Sequence, residues 1–149
     1  MREVETMKTI ALRFSNNFAP KTGTIVEHQK LIDKNGYVWY GKLGSSISNS
    51  VINMILENND PKILLIHSGA TGRYWAYIDS IQKDVPDLSA IPAYYRNKAD
   101  MFKAWLRIIR FENAPQNILS QCTVVSSGAT LSYASKHSMS PYFIIETNE

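Results

Sequence analysis

The chain has 149 residues, 44% of them hydrophobic, enough for one well-buried core and too few for two comfortable ones. Charged residues make up 19%, below the usual share of about a quarter, and Pro and Gly are ordinary, which excludes global disorder. The formal charge of +3 permits an anionic partner without demanding one.

Cys122 is the single cysteine, so an internal disulfide framework and a Cys-based zinc site are excluded, and a small buried apolar role is expected for it. No apolar run approaches the length of a membrane span. The first residues, with Glu3 and Glu5, lack the charged-then-apolar pattern of a signal peptide. A single cytoplasmic domain spanning 1–149 is the expectation.

Residues 1–7 read as a short arm. Residues 8–14 (KTIALRF) alternate as a first strand, with Ile10, Leu12 and Phe14 on one face. A polar loop over 15–23 leads to Thr24 and Glu27, which match a capping box. Helical spacing of Ile25, His28, Leu31 and Ile32 then predicts a helix over 25–34, stopped by Asn35-Gly36.

Residues 37–43 read as a strand packed with aromatics and glycine. Several serines over 45–50 can cap a second helix whose stripe is Val51, Ile52, Met54, Ile55 and Leu56. After Asn58-Asn59-Asp60-Pro61, residues 62–68 (KILLIHS) form an apolar strand expected at the centre of a sheet. A tight connection at 69–72 and a returning strand at 73–82 complete a hairpin. Its alternation puts Tyr74, Ala76 and Ile78 on one face, and Trp75, Tyr77 and Asp79 on the other.

Residues 83–100 are the longest irregular stretch. Residues 101–111 (MFKAWLRIIRF) favour a strand with Phe102, Ala104, Leu106 and Ile108 on one face. Residues 118–125 are predicted as a strand, Ser126-Ser127-Gly128 as a turn, His137 in a late loop and 142–146 as a terminal strand. The order of elements describes an α+β domain with a strongly curved or closed sheet and a helical flank.

Catalytic signals are weak. His28, His67 and His137 are scattered without helical metal-site spacing, and the phosphate-binding and nucleophile-elbow motifs are absent from the sequence, so no metal and no cofactor is expected. His67 is the one candidate general base, and Asp79 with Glu112 the one candidate carboxylate pair. A satisfied histidine at a strand end and solvated carboxylates are the simpler readings.

A binding surface has more support. Aromatic rings stack on nucleobases and neighbouring cations attract phosphate. Trp39, Trp75, Tyr94 and Tyr95 are interleaved with Lys42, Arg73, Arg96 and Lys98. Inside strands, Trp75 and Trp105 read first as core anchors. Trp39, beside Gly41 at a strand end, reads equally as core or ligand wall, and Tyr40 is undecided by alternation. Tyr94-Tyr95, in a loop after Pro92, reads as ligand contact.

At these residues the chain resembles the YTH/EVE group of PUA-like domains. Gly36-Tyr37-Val38-Trp39 before a serine-containing turn is similar to that group's first cage-tryptophan segment. Residues 63–68 (ILLIHS), a glycine-containing turn and 74–78 (YWAYI) resemble its central hairpin. Residues 102–109 (FKAWLRII), ahead of 114–119 (APQNIL), look like its next strand.

The resemblance implies a PUA-like curved or closed β-barrel of about six strands with two or three flanking helices. It implies a reader of a modified, methylated base in DNA or RNA, flipped into an aromatic pocket. The implied pocket is Trp39, Tyr40, Ser45, Ser46, Trp75, Tyr94 and Tyr95. The implied backbone contacts are Lys42, Arg73, Arg96 and Lys98. The second cage wall, a tryptophan in the family, would here be Tyr94 or Tyr95. Standing alone, such a module implies an effector protein partner. The alternatives are a small nucleotide- or nucleic-acid-acting enzyme using His67 or Asp79, and a peptide-docking domain.

Overall fold

The computed structural model describes residues 6–14, 19–67, 72–138, 140 and 142–148. Its elements in chain order are β1 (Thr6–Phe14), α1 (Thr24–Asn35), β2 (Val38–Lys42), α2 (Asn49–Leu56), β3 (Lys62–His67) and β4 (Arg73–Gln82). Two 3₁₀ segments, Leu88–Ala90 and Ala93–Met101, lead to β5 (Ala104–Asn113), α3 (Ile118–Gln121), β6 (Thr123–Val124), α4 (Leu131–His137) and β7 (Tyr142–Asn148).

The strands form one seven-stranded sheet in the order β2-β5-β4-β3-β1-β7-β6. The architecture is mixed α+β, as expected, but the sheet is open rather than closed into a barrel. Among the described residues it has seven strands rather than about six, and four α-helices rather than two or three. Closure fails because β2 pairs only with β5, and the two-residue β6 pairs only with β7. Neither terminal strand offers the other a ladder.

The apolar run of β3 does sit at the centre, parallel to β1 and antiparallel to β4. Its parallel neighbour explains the unbroken ILLI, since such strands are covered on both faces. One face carries Ile10, Leu12, Val38, Tyr40, Ile63 and Ile78, beneath α1 and α2. The other carries Met7, Leu64, Trp75, Tyr77, Phe143 and Ile145, beneath α3 and α4. The alternation read in β4 is the one observed, down to bulges around Ile78.

The helix ends follow local chemistry, with one correction. α1 stops at Gly36, whose left-handed φ of 86° lets its N–H donate to the Ile32 carbonyl at 2.7 Å. Its start is Gly23 (φ 91°), not a capping box. Thr24 is the first helical residue and is buried, while Glu27, one position too late to close a box, pairs with Lys30 at 2.7 Å. α2 is capped as predicted from its serines, Ser48 Oγ accepting from the Val51 N–H at 3.3 Å.

Four further expectations are revised. Met7, assigned to an arm, belongs to β1 and is core; residues 1–5 lie outside the described set. Phe102 precedes β5 and turns to the face opposite Leu106. Residues 118–125 are half helix, with only Thr123–Val124 in a strand, because Ile118 and Cys122, four apart, both enter the α3–α4 core. His137 lies on α4 rather than in a loop; this helix is capped by Thr130 Oγ1, which accepts from the Tyr133 N–H at 3.2 Å. The connections at 15–18 and 68–71 lie outside the described residues.

Candidate functional site

The sheet edge at β2 is where the aromatics gather. Alternation along this strand sends Val38 and Tyr40 to the α1–α2 face, and Trp39 and Gly41 to the other. Across the ladder Trp39 opposes Arg107 and Gly41 opposes Trp105. Gly41 has a packing role. A Cβ there would lie 2.6–2.9 Å from the Phe102 ring, so the absent side chain lets that ring lie on the strand.

Over this face folds the stretch read as irregular. Ala90, Ile91, Tyr95, Ala99, Phe102, Trp39 and Trp105 form one buried cluster, with Tyr37 and Tyr94 at its margin. Tyr94 meets Tyr95 edge-on at 4.5 Å, Tyr95 meets Phe102 at 4.7 Å, and Phe102 meets Trp105 at 5.1 Å. Tyr95 also touches His28 of α1 at 5.3 Å, so the Ala93–Met101 segment wraps the free edge of β2. Trp39 and Tyr95 are 9% and 7% exposed, which makes this a closed stack of rings in the structure.

The cluster is electrostatically unusual. His28 is fully buried, and its Nδ1 donates to the Thr24 carbonyl at 2.8 Å. A carbonyl only accepts, so Nδ1 carries the proton and Nε2 is left as an acceptor with no protein partner. Burial holds the imidazole pKa down at about 4, against a backbone hydrogen bond that raises it. Burial likewise raises the Tyr40, Tyr94 and Tyr95 phenols. The indole N–H of Trp105 also lacks an acceptor.

Not every predicted pocket residue is at this edge. Trp75 belongs to the α3–α4 core, with the Lys62 ammonium 4.5 Å from its ring centre. Tyr40 is on the opposite face of β2 from Trp39, against His28 at 5.2 Å. Both placements follow from strand alternation and pairing order. Ser45 and Ser46 are exposed on the turn after β2, with Ser46 Oγ donating to the Lys103 carbonyl at 3.1 Å.

The cations are similarly divided. Lys42 is 4% exposed, and its ammonium donates to the Leu43 and Ser45 carbonyls at 3.2 and 2.5 Å. It holds the turn instead of facing solvent. Arg96 is exposed beside the cluster, its Nε donating to the Leu88 carbonyl. Lys98 is half-buried in the same segment, and Arg73 is half-buried at the start of β4, away from β2.

The residues considered for catalysis are engaged elsewhere. His67 stacks on Phe14 at 4.8 Å, and Asp79 forms a 2.6 Å ion pair with Arg107. Glu112 opposes Trp75, four residues along β4 from Asp79, and pairs with Arg110. Sequence reasoning missed His28 as a neighbour of the aromatic edge; its place four residues after Thr24 on the buried stripe was the available signal. Among the described residues, no group of three or more His, Cys, Asp or Glu side chains could hold a metal. No helix among the described residues is long and apolar enough to cross a membrane.

A family model described as Pua-like matches residues 10–142, and the chain belongs to that family. No curated protein and no solved structure matches it significantly.

Proposed function

We propose that this chain is a nucleic-acid-binding module that takes one modified, methylated base of DNA or RNA against Trp39, Tyr94 and Tyr95 at the β2 edge. Pua-like domains commonly bind RNA or modified bases. The observation carrying the reading is the convergence of Trp39 and Tyr95, 56 positions apart in sequence, in one aromatic cluster with Tyr94 at its margin. Ser45 and Ser46 are exposed on the turn that follows β2, and Arg96 is exposed on the Ala93–Met101 segment.

In the structure those rings cover one another, so base entry exchanges ring–ring contacts for base–ring contacts. The covering segment, Ala93–Met101, is 3₁₀ throughout, a conformation with poorer hydrogen-bond geometry than an α-helix. Stacking contributes about 1–3 kcal/mol per base, enough to offset one flipped nucleotide. Arg96 and Lys98, on the covering segment, would supply the phosphate contacts, and Lys42 organises the turn that carries Ser45. A biological effect would come through an effector protein.

The test is a binding screen of modified and unmodified oligonucleotides on DNA and RNA backbones, with wild type, Trp39→Ala and Tyr94→Ala. Weakened binding of the preferred strand by tenfold or more in both variants, each still folded by circular dichroism, is expected. Unchanged affinity in both sinks the proposal.

A further inference from the structure

The opposite end of the sheet carries a second feature. A cavity of about 280 Å³ lies between the turn after β6, helix α4 and the start of β7. Its lining includes Ser126, Ser127, Tyr133, His137, Ser138 and Phe143. An adjoining cavity of about 310 Å³ shares Val124, Ser126, Ser140 and Phe143 with it. Each has about the size of the smallest ligand clefts, which begin near 300 Å³.

Three observations identify what this trough fits. First, Tyr133 is 59% exposed, the most exposed of the large hydrophobic residues described, and its ring is stacked on His137 at 4.2 Å and 26°. The histidine covers one side of a ring that fills no core, leaving a braced aromatic platform. Second, no Asp or Glu occurs in the described lining of either cavity, while exposed Lys136 and His137 form the last turn of α4.

Third, Arg13 lies behind the floor. Its Nη2 donates to the Ser135 and Ser138 carbonyls at 2.8 and 2.7 Å, and its guanidinium is 5.5 Å from the Phe143 ring centre. None of the ion pairs among the described residues includes Arg13, and its Nε is buried without a partner. A guanidinium stays charged at all working pH, so uncompensated positive charge sits beneath a cavity walled by hydroxyls.

We propose that this trough is a second nucleotide contact, in which a base of a single-stranded nucleic acid stacks on Tyr133. The attached phosphate is attracted by Lys136 and Arg13 and accepts from the hydroxyls of Ser126 and Ser127. A flat exposed ring beside an acid-free, hydroxyl-lined cavity matches a nucleotide's base and phosphate together, whereas an acidic peptide would use the charge and leave the ring face unstacked. The site is built on β6, α4 and β7 rather than on Trp39, Tyr94 and Tyr95, although Lys42 at the end of β2 lies 4.8 Å from the ring of Tyr142, which lines the adjoining cavity. Its evidence is separate from that of the base-reading proposal.

The test uses an unmodified ten-nucleotide single strand titrated against the full chain. Tyr133→Ala is expected to weaken binding by about tenfold, as loss of one base–aromatic stack predicts, and Tyr133→Phe to retain it. Uridine 5′-monophosphate should shift the Tyr133 and His137 ring resonances, whereas inorganic phosphate alone should leave them in place. Because Tyr133 is exposed, its replacement leaves folding intact.

Unchanged affinity in Tyr133→Ala overturns the proposal, as do equal shifts with inorganic phosphate. If Trp39→Ala binds as wild type while Tyr133→Ala does not, the β2-edge reading fails and this one stands. If Tyr133→Ala binds as wild type while Trp39→Ala does not, the reverse holds.

Discussion

Replacing Gly41 by alanine isolates the packing on which the β2 edge depends. Gly41 is not among the positive-φ glycines, so alanine meets no backbone strain there. In a strand interior that exchange ordinarily gains about 0.5–1 kcal/mol. Here the new methyl would sit 2.6, 2.8 and 2.9 Å from three atoms of the Phe102 ring. That ring is 5% exposed and wedged between Tyr95 and Trp105, so it cannot retreat without moving both.

Overpacking a well-filled core costs about 1–3 kcal/mol. Set against the gain, Gly41→Ala should destabilise the chain by roughly 1–2 kcal/mol. For a domain of this size each kcal/mol lowers Tm by about 2–4 °C. Urea or thermal unfolding of wild type, Gly41→Ala and Gly41→Ala/Phe102→Leu measures it, the double variant recovering part of the loss. A Gly41→Ala protein as stable as wild type would refute the close-packed account of this edge.

Other outcomes follow from the same contacts. His28 stays neutral in the fold down to about pH 4, whereas in the unfolded chain it takes up a proton near pH 6.5. The unfolded state therefore binds more protons between those values. The His28 contribution is complete above pH 6.5, falls as pH drops and levels below pH 4, at a loss of about 3 kcal/mol. Urea unfolding at pH 7 and pH 4.5 should show most of that loss in wild type, about 2 kcal/mol, and a smaller one in His28→Phe; equal pH dependence would count against a buried neutral imidazole.

Lys42→Met should leave the salt dependence of oligonucleotide binding unchanged, because the ammonium is engaged with carbonyls, while Arg96→Ala should reduce the log–log slope by about one. The opposite ordering would return Lys42 to the phosphate-binding set. Cys122 is fully buried, and burial raises its thiol pKa, so it should react with a thiol reagent only after denaturation. Fast labelling of the native chain would contradict the packing of α3 against the sheet.

How legible these features were depended on how local their causes are. The β3–β4 pairing, the C-terminal end of α1 and the start of α2 could be read because alternation, Gly36 and Ser48 act within a few residues, whereas the start of α1 could not. The same alternation divides Trp75 from Trp39, but which face each joins depends on β2 pairing with β5 at one end of the sheet. Nothing local to residues 37–43 announces that partner, more than sixty residues downstream. Helices α3 and α4, of four and seven residues, span only about one and two turns, too few for an apolar stripe to repeat, although Thr130 before Leu131 and Ala134 was a readable cap. The gathering of Trp39 and Tyr95 was anticipated as two walls of an open slot. It is realised as a filled cluster, because Phe102 and Trp105, read only as strand residues, pack into the same space.

The most direct test of nucleic-acid recognition at the β2 edge is the equilibrium affinity of wild type and Tyr94→Ala for the preferred oligonucleotide, measured as salt is raised. Tyr94 is half-buried at the margin of the cluster, so its truncation removes an aromatic wall while sparing the centre. The prediction is a loss of about tenfold at every salt concentration, with the salt slope unaltered, as removal of a stacking contact and no phosphate contact requires. Identical affinities for the two proteins, or no salt-sensitive binding by wild type to any strand, would contradict it.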